Sequence, residues 1–468
     1  MTHCRIFCLG LNPLLCLLQE KGIHSVAYMD DLNIFPENWH QMDFTLKILK
    51  RFYNESNLKN NPNKSYFFPS PPPSPPPSLT LDDPLTPNNQ GFQVKNASIY
   101  LGVPLAPHVS SFITQTWMDK LKACNNSLSL WKKHKLSLKG KTLIWNSLII
   151  SKFIHMGFIS PPPPTFFSQL DYLLKDFLWE KKTHLLCLEK LYLPLKKGGL
   201  GLINLKSHLQ VLKCITLKDL ISNPLPSFSL AHKSLNLPSA KKFIQLQSLA
   251  KKVAPTPNSK IRESSNLSSL QPHYLSLWAS LASTPFDSWP KNNKEARWLI
   301  DKHSLGEAPL YYQDLDAGYT KAFAGLWKAP VPQKWNQTFF LFLHRALPLS
   351  DRMHRKDFSQ CHLCLQNDIF MDHRHVFLNC PFSTSLLSSA LSTMGKPQQN
   401  LTRFILRGGR VGSTIDVSSQ KLHRFWMNII WKSHLAHYLK NESVSSLLLL
   451  SHSSLSFMIS NFISKMNL

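Results

Sequence analysis

The chain has 468 residues, with 53 Lys plus Arg against 27 Asp plus Glu and a formal charge of +26. Hydrophobic residues make up 43 % and charged residues only 17 %, which excludes wholesale disorder and the collagen, coiled-coil and disulfide-scaffold classes. The basicity comes from a shortage of acids, and such a balance suits a polyanionic partner.

In chain order, four regions separate by composition. Residues 1–105 open with Leu11, Leu14, Leu15, Leu17 and Leu18 on a helical stripe that stops at Gly22, a residue suited to the turn that ends a helix. His24–Tyr28 and Leu32–Phe35 read as two short strands around Met29-Asp30-Asp31, and 42–60 as a second helix. A Pro-rich run at 69–90 is too low in complexity to hold a regular ladder and reads as a polyproline-like surface loop. Residues 106–225 read as helical. Trp117, Trp131 and Trp145 recur every 14 residues there and share a face if their helix is continuous. Prolines at 161–164 break the pattern before a stripe of Phe166, Phe167, Leu170, Leu173, Leu174, Phe177 and Leu178. Gly198-Gly199-Leu200-Gly201 then signals a turn. Residues 226–330, rich in Ser, Asn and Pro, read as a connector with some helix. Residues 331–468 read as an aromatic helical domain interrupted by a Cys/His cluster at 361–380. The expected fold class is mostly α with a small α+β element.

The nine cysteines are odd in number and scattered, unlike a secreted disulfide framework. Pro13 interrupts the N-terminal apolar run, which lacks a small-residue cleavage site. Ser, His and Asn interrupt the C-terminal one, which falls short of the ~18–20 apolar residues of a membrane helix. The expectation is an intracellular protein of the nucleus or cytoplasm, not secreted and without a membrane partner.

Three patterns carry chemistry. In Tyr28-Met29-Asp30-Asp31, two adjacent carboxylates stand between apolar strands. At a hairpin tip they suit a pair of Mg²⁺ or Mn²⁺ ions that stabilise both oxygens of an in-line phosphoryl displacement. Taken alone, the pair is equally a solvated Asp-Asp turn. Second, Cys361-x₂-Cys364-x₁₀-His375-x₄-Cys380 supplies four soft or imidazole ligands that suit tetrahedral Zn²⁺, with His362 and His373 as alternatives. The competing reading is reduced surface cysteines beside a His-rich helix. Third, Lys132, Lys133, Lys135, Lys139 and Lys141 form a basic stretch. It either binds phosphates, with the interleaved tryptophans stacking bases, or is the solvated face of an amphipathic helix.

The ordered series resembles LINE-type non-LTR retrotransposon reverse transcriptases over residues 10–220. YMDD followed by LNIF is similar to the catalytic hairpin, and LGLNPLLCLLQEKGI to the helix leading into it. Ser56-Asn57-Leu58-Lys59 with Asn61-Pro62-Asn63-Lys64-Ser65 resembles a motif whose lysine, here Lys64, lies near the incoming nucleotide. Ser98-Ile99-Tyr100-Leu101-Gly102-Val103 resembles the primer-contacting hairpin at the palm–thumb junction. Trp131 with Leu136-Ser137-Leu138-Lys139-Gly140-Lys141 resembles a thumb motif, and Phe177-Leu178-Trp179 and Gly198-Gly199-Leu200-Gly201 resemble later signatures. The Cys-Cys-His-Cys cluster resembles a C-terminal family element, with Trp335 and His344-Arg345 before it and Arg352 and Arg355 nearby.

The resemblance implies a partial palm hairpin in 1–105, with catalytic, Mg²⁺-binding Asp30 and Asp31 and nucleotide or primer contacts from Tyr28, Met29, Lys64, Tyr100, Leu101 and Gly102. It further implies a helical thumb in 106–225 whose five lysines contact RNA or DNA, a connector in 226–330, and a zinc module in 331–468 that engages nucleic acid. A third catalytic carboxylate belongs on an earlier strand, expected upstream of Met1 together with the fingers. Asp43, Asp82 and Asp83 lie in the wrong order to replace it. The expected protein is an N-terminally truncated RNA-directed DNA polymerase, a nucleotidyltransferase inactive alone. It would bind RNA and DNA, carry Zn²⁺, and use Mg²⁺ or Mn²⁺ only with a completed site. Alternatives are a non-catalytic nucleic-acid-binding protein and a translated remnant without function.

Overall fold

The computed structural model describes residues 2–28, 31–56, 61, 65–67, 93–95, 97–105, 110–160, 162–180, 184–209, 211–212, 311–352, 361–396, 398–410, 416–439 and 452–466. Met29, Asp30, Lys64, the Pro-rich loop at 69–90 and residues 226–310 lie outside them. The described residues are mostly helical, and the chain divides into two units, 1–116 and 117–468.

In the first unit α1 (Thr2–Glu20) ends as its composition predicts. Gly22 takes φ +69°, and the N–H groups of Gly22 and Ile23 reach back to the carbonyls of Gln19 and Leu18, both at 2.9 Å. This satisfies carbonyls that the helix end would leave bare. Strands β1 (His24–Tyr28) and β2 (Asp31–Phe35) then pair antiparallel with Tyr28 opposite Asp31. Asn38 caps α2 (Trp39–Ser56), its Oδ1 accepting from the Gln41 N–H at 2.9 Å, which starts this helix earlier than its apolar pattern suggests. Leu11, Leu14 and Leu18 of α1 bury themselves against Ile48 and Leu49 of α2, with Ala27, Leu32 and Ile34 of the hairpin packed on the same cluster. Because strand side chains alternate, Val26, Tyr28, Asp31 and Phe35 fall on the other, exposed face. Two residue pairs form β3 (Tyr66–Phe67) and β4 (Gln93–Val94), which pair parallel. A second tight hairpin joins β5 (Ser98–Tyr100) to β6 (Val103–Leu105), with Leu101 and Gly102 at φ +47° and +78° in its tip. Positive φ at both central residues matches the twist of a two-residue hairpin.

The second unit opens within α3 (Ser110–Lys132). The chain turns over residues 133–137, and Ser137 caps α4 (Leu138–Ile144) by accepting from the Gly140 N–H at 3.2 Å. A π-helical segment, Trp145–Ile150, continues into α5 (Ser151–Ile159). The helix bearing the three tryptophans is therefore not continuous. Trp117 and Trp145 are buried, and Trp117 stacks on Phe153 at 6.0 Å and meets Phe166 edge-on at 4.6 Å. Base stacking is closed to these two residues, which are core. Leu138–Ile159 is long and apolar enough to cross a membrane by length and composition alone. Along it Trp145, Ile149, Ile150, Phe153 and Met156 are buried against protein, while Leu143, Leu148 and Ile159 are exposed.

Helix α6 (Phe166–Trp179) buries the expected stripe except Phe167, which is half-buried, and stops where Glu180 takes φ +52°. After the short α7 (Leu188–Tyr192), residues 193–202 fold back on themselves. The Leu200 and Leu202 N–H groups both reach the Leu191 carbonyl, at 3.1 and 3.2 Å, and Gly201 N–H reaches Leu193 O at 2.9 Å. The Asn146 side chain clamps this strap, donating to Gly201 O at 2.9 Å and accepting from Ile203 N–H at 3.0 Å. A Cβ on Gly199 would stand 1.8 Å from the Leu193 carbonyl oxygen. The turn signal thus marks a close backbone approach. Gly199→Ala is expected to destabilise the chain by about 3 kcal/mol, whereas Gly201→Ala, with no atom within 4 Å, meets only the strain of φ +68°. Comparing the denaturant midpoints of the two variants checks this.

Beyond residue 310, 3₁₀ turns at Tyr319–Ala324 and Leu326–Lys328 precede α8 (Gln333–Leu343). The Cys/His region follows, then α9 (Pro381–Thr393), α10 (Leu401–Leu406), α11 (Val417–Leu439) and α12 (His452–Met466). Phe339, Phe340, Phe342, Phe377 and Trp426 form an aromatic core here. Residues 311–330, which composition places at the end of a connector, pack into it. Tyr312 donates to Phe342 O at 3.1 Å, and Asp316 receives Arg407 in a two-pronged pair at 2.8 and 3.1 Å.

Candidate metal centre

Cys361, Cys364, His375 and Cys380 converge, their ligand atoms all within 4.8 Å of one another. Two backbone devices bring them together. In the first pair, Leu365 N–H bonds to Cys361 O at 2.7 Å and Cys361 N–H to Gln366 O at 2.9 Å. Leu365 sits at φ +60°, so the chain doubles back and both sulfurs face one side. In the second pair, a π-helical turn, His375–Asn379, lets Cys380 N–H reach His375 O at 2.7 Å. A five-residue hydrogen-bonded turn explains the x₄ gap, because it returns the cysteine to the histidine's side. Asp372 Oδ1 accepts the His375 N–H at 2.6 Å and fixes where the turn begins. Cys380 is also the N-cap of α9, with Pro381 at its first turn.

The donor set fits Zn²⁺. Bonds of about 2.3 Å to sulfur and 2.0 Å to nitrogen put the edges of a tetrahedron near 3.5–3.8 Å, and Cys364 Sγ lies 3.7 Å from His375 Nε2. Cys361 and Cys380 are fully buried and Cys364 half-buried, which describes a closed structural site. A hydrogen bond from the Cys380 thiol holds Cys361 well below the ordinary thiol range, while the same bond and burial push Cys380 up. The cluster is therefore ready to carry thiolate, the form that binds metal.

The structure also decides between histidines. His373 is fully buried, and its Nε2 accepts from Leu347 N–H at 3.2 Å. Its Nδ1 consequently carries the proton and donates to the Asp351 carboxylate at 2.9 Å. With both ring nitrogens committed, it has none for a metal. His362 lies outside the cluster, its ring 5.2 Å from that of His434. Asp351 also receives Arg345, at 2.8 and 3.3 Å. Burial raises the Asp351 carboxyl, but His373 and Arg345 outweigh it and hold the group below the usual range. The sequence gives no sign of this support, because Asp351 and His373 are 22 positions apart. His344 Nε2 meets Gly198 O at 2.7 Å, and burial lowers its pKa to about 4, so it acts as a neutral tie to the glycine strap. Arg352 donates to Leu185 O at 2.9 Å; Arg355 lies outside the described residues.

Of the expected carboxylate site, Asp31 is exposed at the head of β2, opposite Tyr28, and Met29 and Asp30 lie outside the described residues. Asn33 shares a strand face with Asp31, and its amide donates to the Tyr100 hydroxyl. This bond sets the β5–β6 hairpin, with Leu101 and Gly102, beside the face that carries Tyr28 and Asp31. The basic stretch needs a correction. Lys141 is buried, and its ammonium is committed to Leu178 O at 2.8 Å and Glu180 at 2.6 Å over the Phe177 ring. Lys132 is paired with Asp176. Both lysines fasten the ends of α3 and α4 to α6 and are not available to phosphates. Lys133 and Lys135 are exposed; Lys139 is half-buried, and burial lowers its pKa.

Residues 311–386 match a family described as zinc-binding in reverse transcriptase. The Transposon TX1 uncharacterized 149 kDa protein of Xenopus laevis is 24 % identical over 223 residues, covering 45 % of this chain and 16 % of its own length. A protein of Arabidopsis thaliana named for ribonuclease H is 30 % identical over 97 residues, covering 20 % of this chain and again 16 % of its own. The chain thus matches about a sixth of the length of each of these curated relatives. The family match coincides with the four converging ligands and includes Tyr312, Asp316, Arg345, Asp351 and His373 around them. The chain is thus similar, through residues 311–386, to a zinc-binding domain of reverse transcriptases, and over parts of its length to a transposon-encoded protein and a protein named for ribonuclease H.

Proposed function

We propose that this chain is a nucleic-acid-binding part of a retrotransposon reverse transcriptase, acting in the nucleus or cytoplasm. In this reading the β1–β2 hairpin belongs to a palm, residues 106–225 to a thumb and 226–310 to a connector, with 311–330 joined to the zinc domain, which engages RNA or DNA. The observation that carries it is the convergence of Cys361, Cys364, His375 and Cys380 inside the matched domain. The charge of +26 supports a polyanionic partner.

Asp30 and Asp31 are the two carboxylates this hairpin offers to Mg²⁺ or Mn²⁺, and polymerisation in the resembled family takes a third. The polypeptide by itself is therefore not expected to extend a primer. Primer extension with the purified chain and either ion, beside an Asp30→Ala control, tests this; cDNA synthesis that depends on Asp30 would overturn it. Binding itself is read by fluorescence anisotropy with labelled single-stranded RNA and DNA. Phosphate contacts release counterions, so affinity should fall by orders of magnitude between low and physiological salt. Binding that ignores salt would contradict the reading.

A further inference from the structure

Lys135, Ser137, Lys334, Trp335, Asn428 and Lys432 line a cavity of about 350 Å³ where the turn before α4 meets the start of α8 and the middle of α11. Its three lysines come from three separate segments, all with exposed side chains, and among the described residues no acidic one lines it. The Leu138 N–H donates to Gln337 Oε1 at 2.8 Å, which holds the Lys135 turn against α8. Three ammonium groups around one cavity repel each other unless an anion lies between them.

Two further observations point to that anion. Asn428 is only 6 % exposed and lines the cavity. Its amide can donate to an acceptor seated there. Eleven-residue α8 also begins on this wall with Pro332 as its N-cap, so no side chain caps its first amides. Those amides form the positive end of the helix dipole. Trp335, half-buried against Phe425 at 5.3 Å and Phe462 at 5.9 Å, lines the same cavity.

We propose that this cavity seats a backbone phosphodiester of a bound single strand. Lys135, Lys334 and Lys432 surround the phosphate, the Asn428 amide donates to it, and Trp335 offers its indole to the neighbouring base. The inference rests on the nucleic-acid reading above and gives it an address outside both the zinc cluster and the carboxylate hairpin.

The test is anisotropy with labelled single-stranded RNA and DNA on the full chain across a salt series. The triple variant Lys135→Gln, Lys334→Gln, Lys432→Gln is compared with a control triple at exposed lysines elsewhere, Lys196→Gln, Lys197→Gln, Lys321→Gln. The cavity triple should lose about tenfold or more in affinity at low salt, and its salt slope should shrink by about 0.7, the equivalent of one phosphate on a single strand. The control triple should change affinity less than about threefold. Asn428→Leu should weaken binding several-fold without altering the slope. Equal losses in both triples would mean diffuse charge and would overturn the cavity, as would an unaffected cavity triple. If the unmodified chain binds no nucleic acid, the cavity and the proposed function fall together. If it binds and the cavity triple matches it, the cavity alone falls. Zinc content and thermal melts of each variant report that the fold is retained.

Discussion

Purified from zinc-containing medium, the chain is expected to hold one Zn²⁺, and Cys361→Ser or Cys380→Ser to hold none. The two sulfurs are the fully buried members of the cluster, so no solvent ligand replaces them. Structural zinc sites contribute apparent binding energies of about 10–16 kcal/mol in small domains, and that energy is folding energy. Here the metal would join two turns that are each closed by local backbone hydrogen bonds of their own and are linked to each other through the ligands: the Cys361–Gln366 reversal and the π-helical turn that delivers Cys380 to the head of α9. Chelation should therefore release α9 together with the cluster, seen as lost helical signal and new protease cleavage between 361 and 393. His375→Ala should weaken zinc binding by orders of magnitude. His362→Ala should leave the stoichiometry at one, because that ring faces His434. Metal content by mass spectrometry decides the set. An unmodified chain without zinc, or a His375→Ala chain with unchanged affinity, would overturn the ligand assignment.

Sequence reasoning reaches the zinc ligands because their spacing is local: two turns of fixed length supply all four. The β1–β2 hairpin is legible for the same reason, since two alternating strands flank a polar tip and Gly22 marks where the preceding helix must stop. The lysines show where such reasoning ends. In sequence Lys141 is one more positive charge in a basic run. In the fold it is enclosed by the end of α6, where Glu180 and Leu178 O take up its ammonium. Burial of a lysine depends on partners 37 and 39 positions away, and no local pattern reports them. The glycine strap is intermediate. A turn is visible in Gly198-Gly199-Leu200-Gly201, but the reason for Gly199 is the Leu193 carbonyl folded against it. The cavity at Lys135, Lys334 and Lys432 was invisible because it draws on segments almost 300 positions apart.

Asp351→Ala is expected to destabilise the zinc domain by about 3 kcal/mol, the scale of breaking a buried charged network by removing one partner. The carboxylate accepts from the buried His373 and from Arg345 together. Its loss leaves the His373 N–H without an acceptor inside the protein, while Arg345, one-third exposed, can turn to water. Asp351→Asn should cost less, because an amide oxygen still accepts from Nδ1. The pH dependence has a definite sign. The folded-state pKa of Asp351 lies below its ordinary value of 3.8, so the stabilisation is complete above that value and is lost as pH falls through the lower, folded one. The stability gap between the unmodified and Asp351→Ala chains should therefore be flat near neutral pH and close only in strong acid. His373 stands two residues before the metal ligand His375, at the entrance to the π-helical turn. Loosening it should raise the zinc dissociation constant by about tenfold, as for other groups that orient ligands. Competition with a chromophoric chelator measures that constant. An Asp351→Ala chain that binds zinc with unchanged affinity would show that the Asp351–His373 pair supports the core and not the metal.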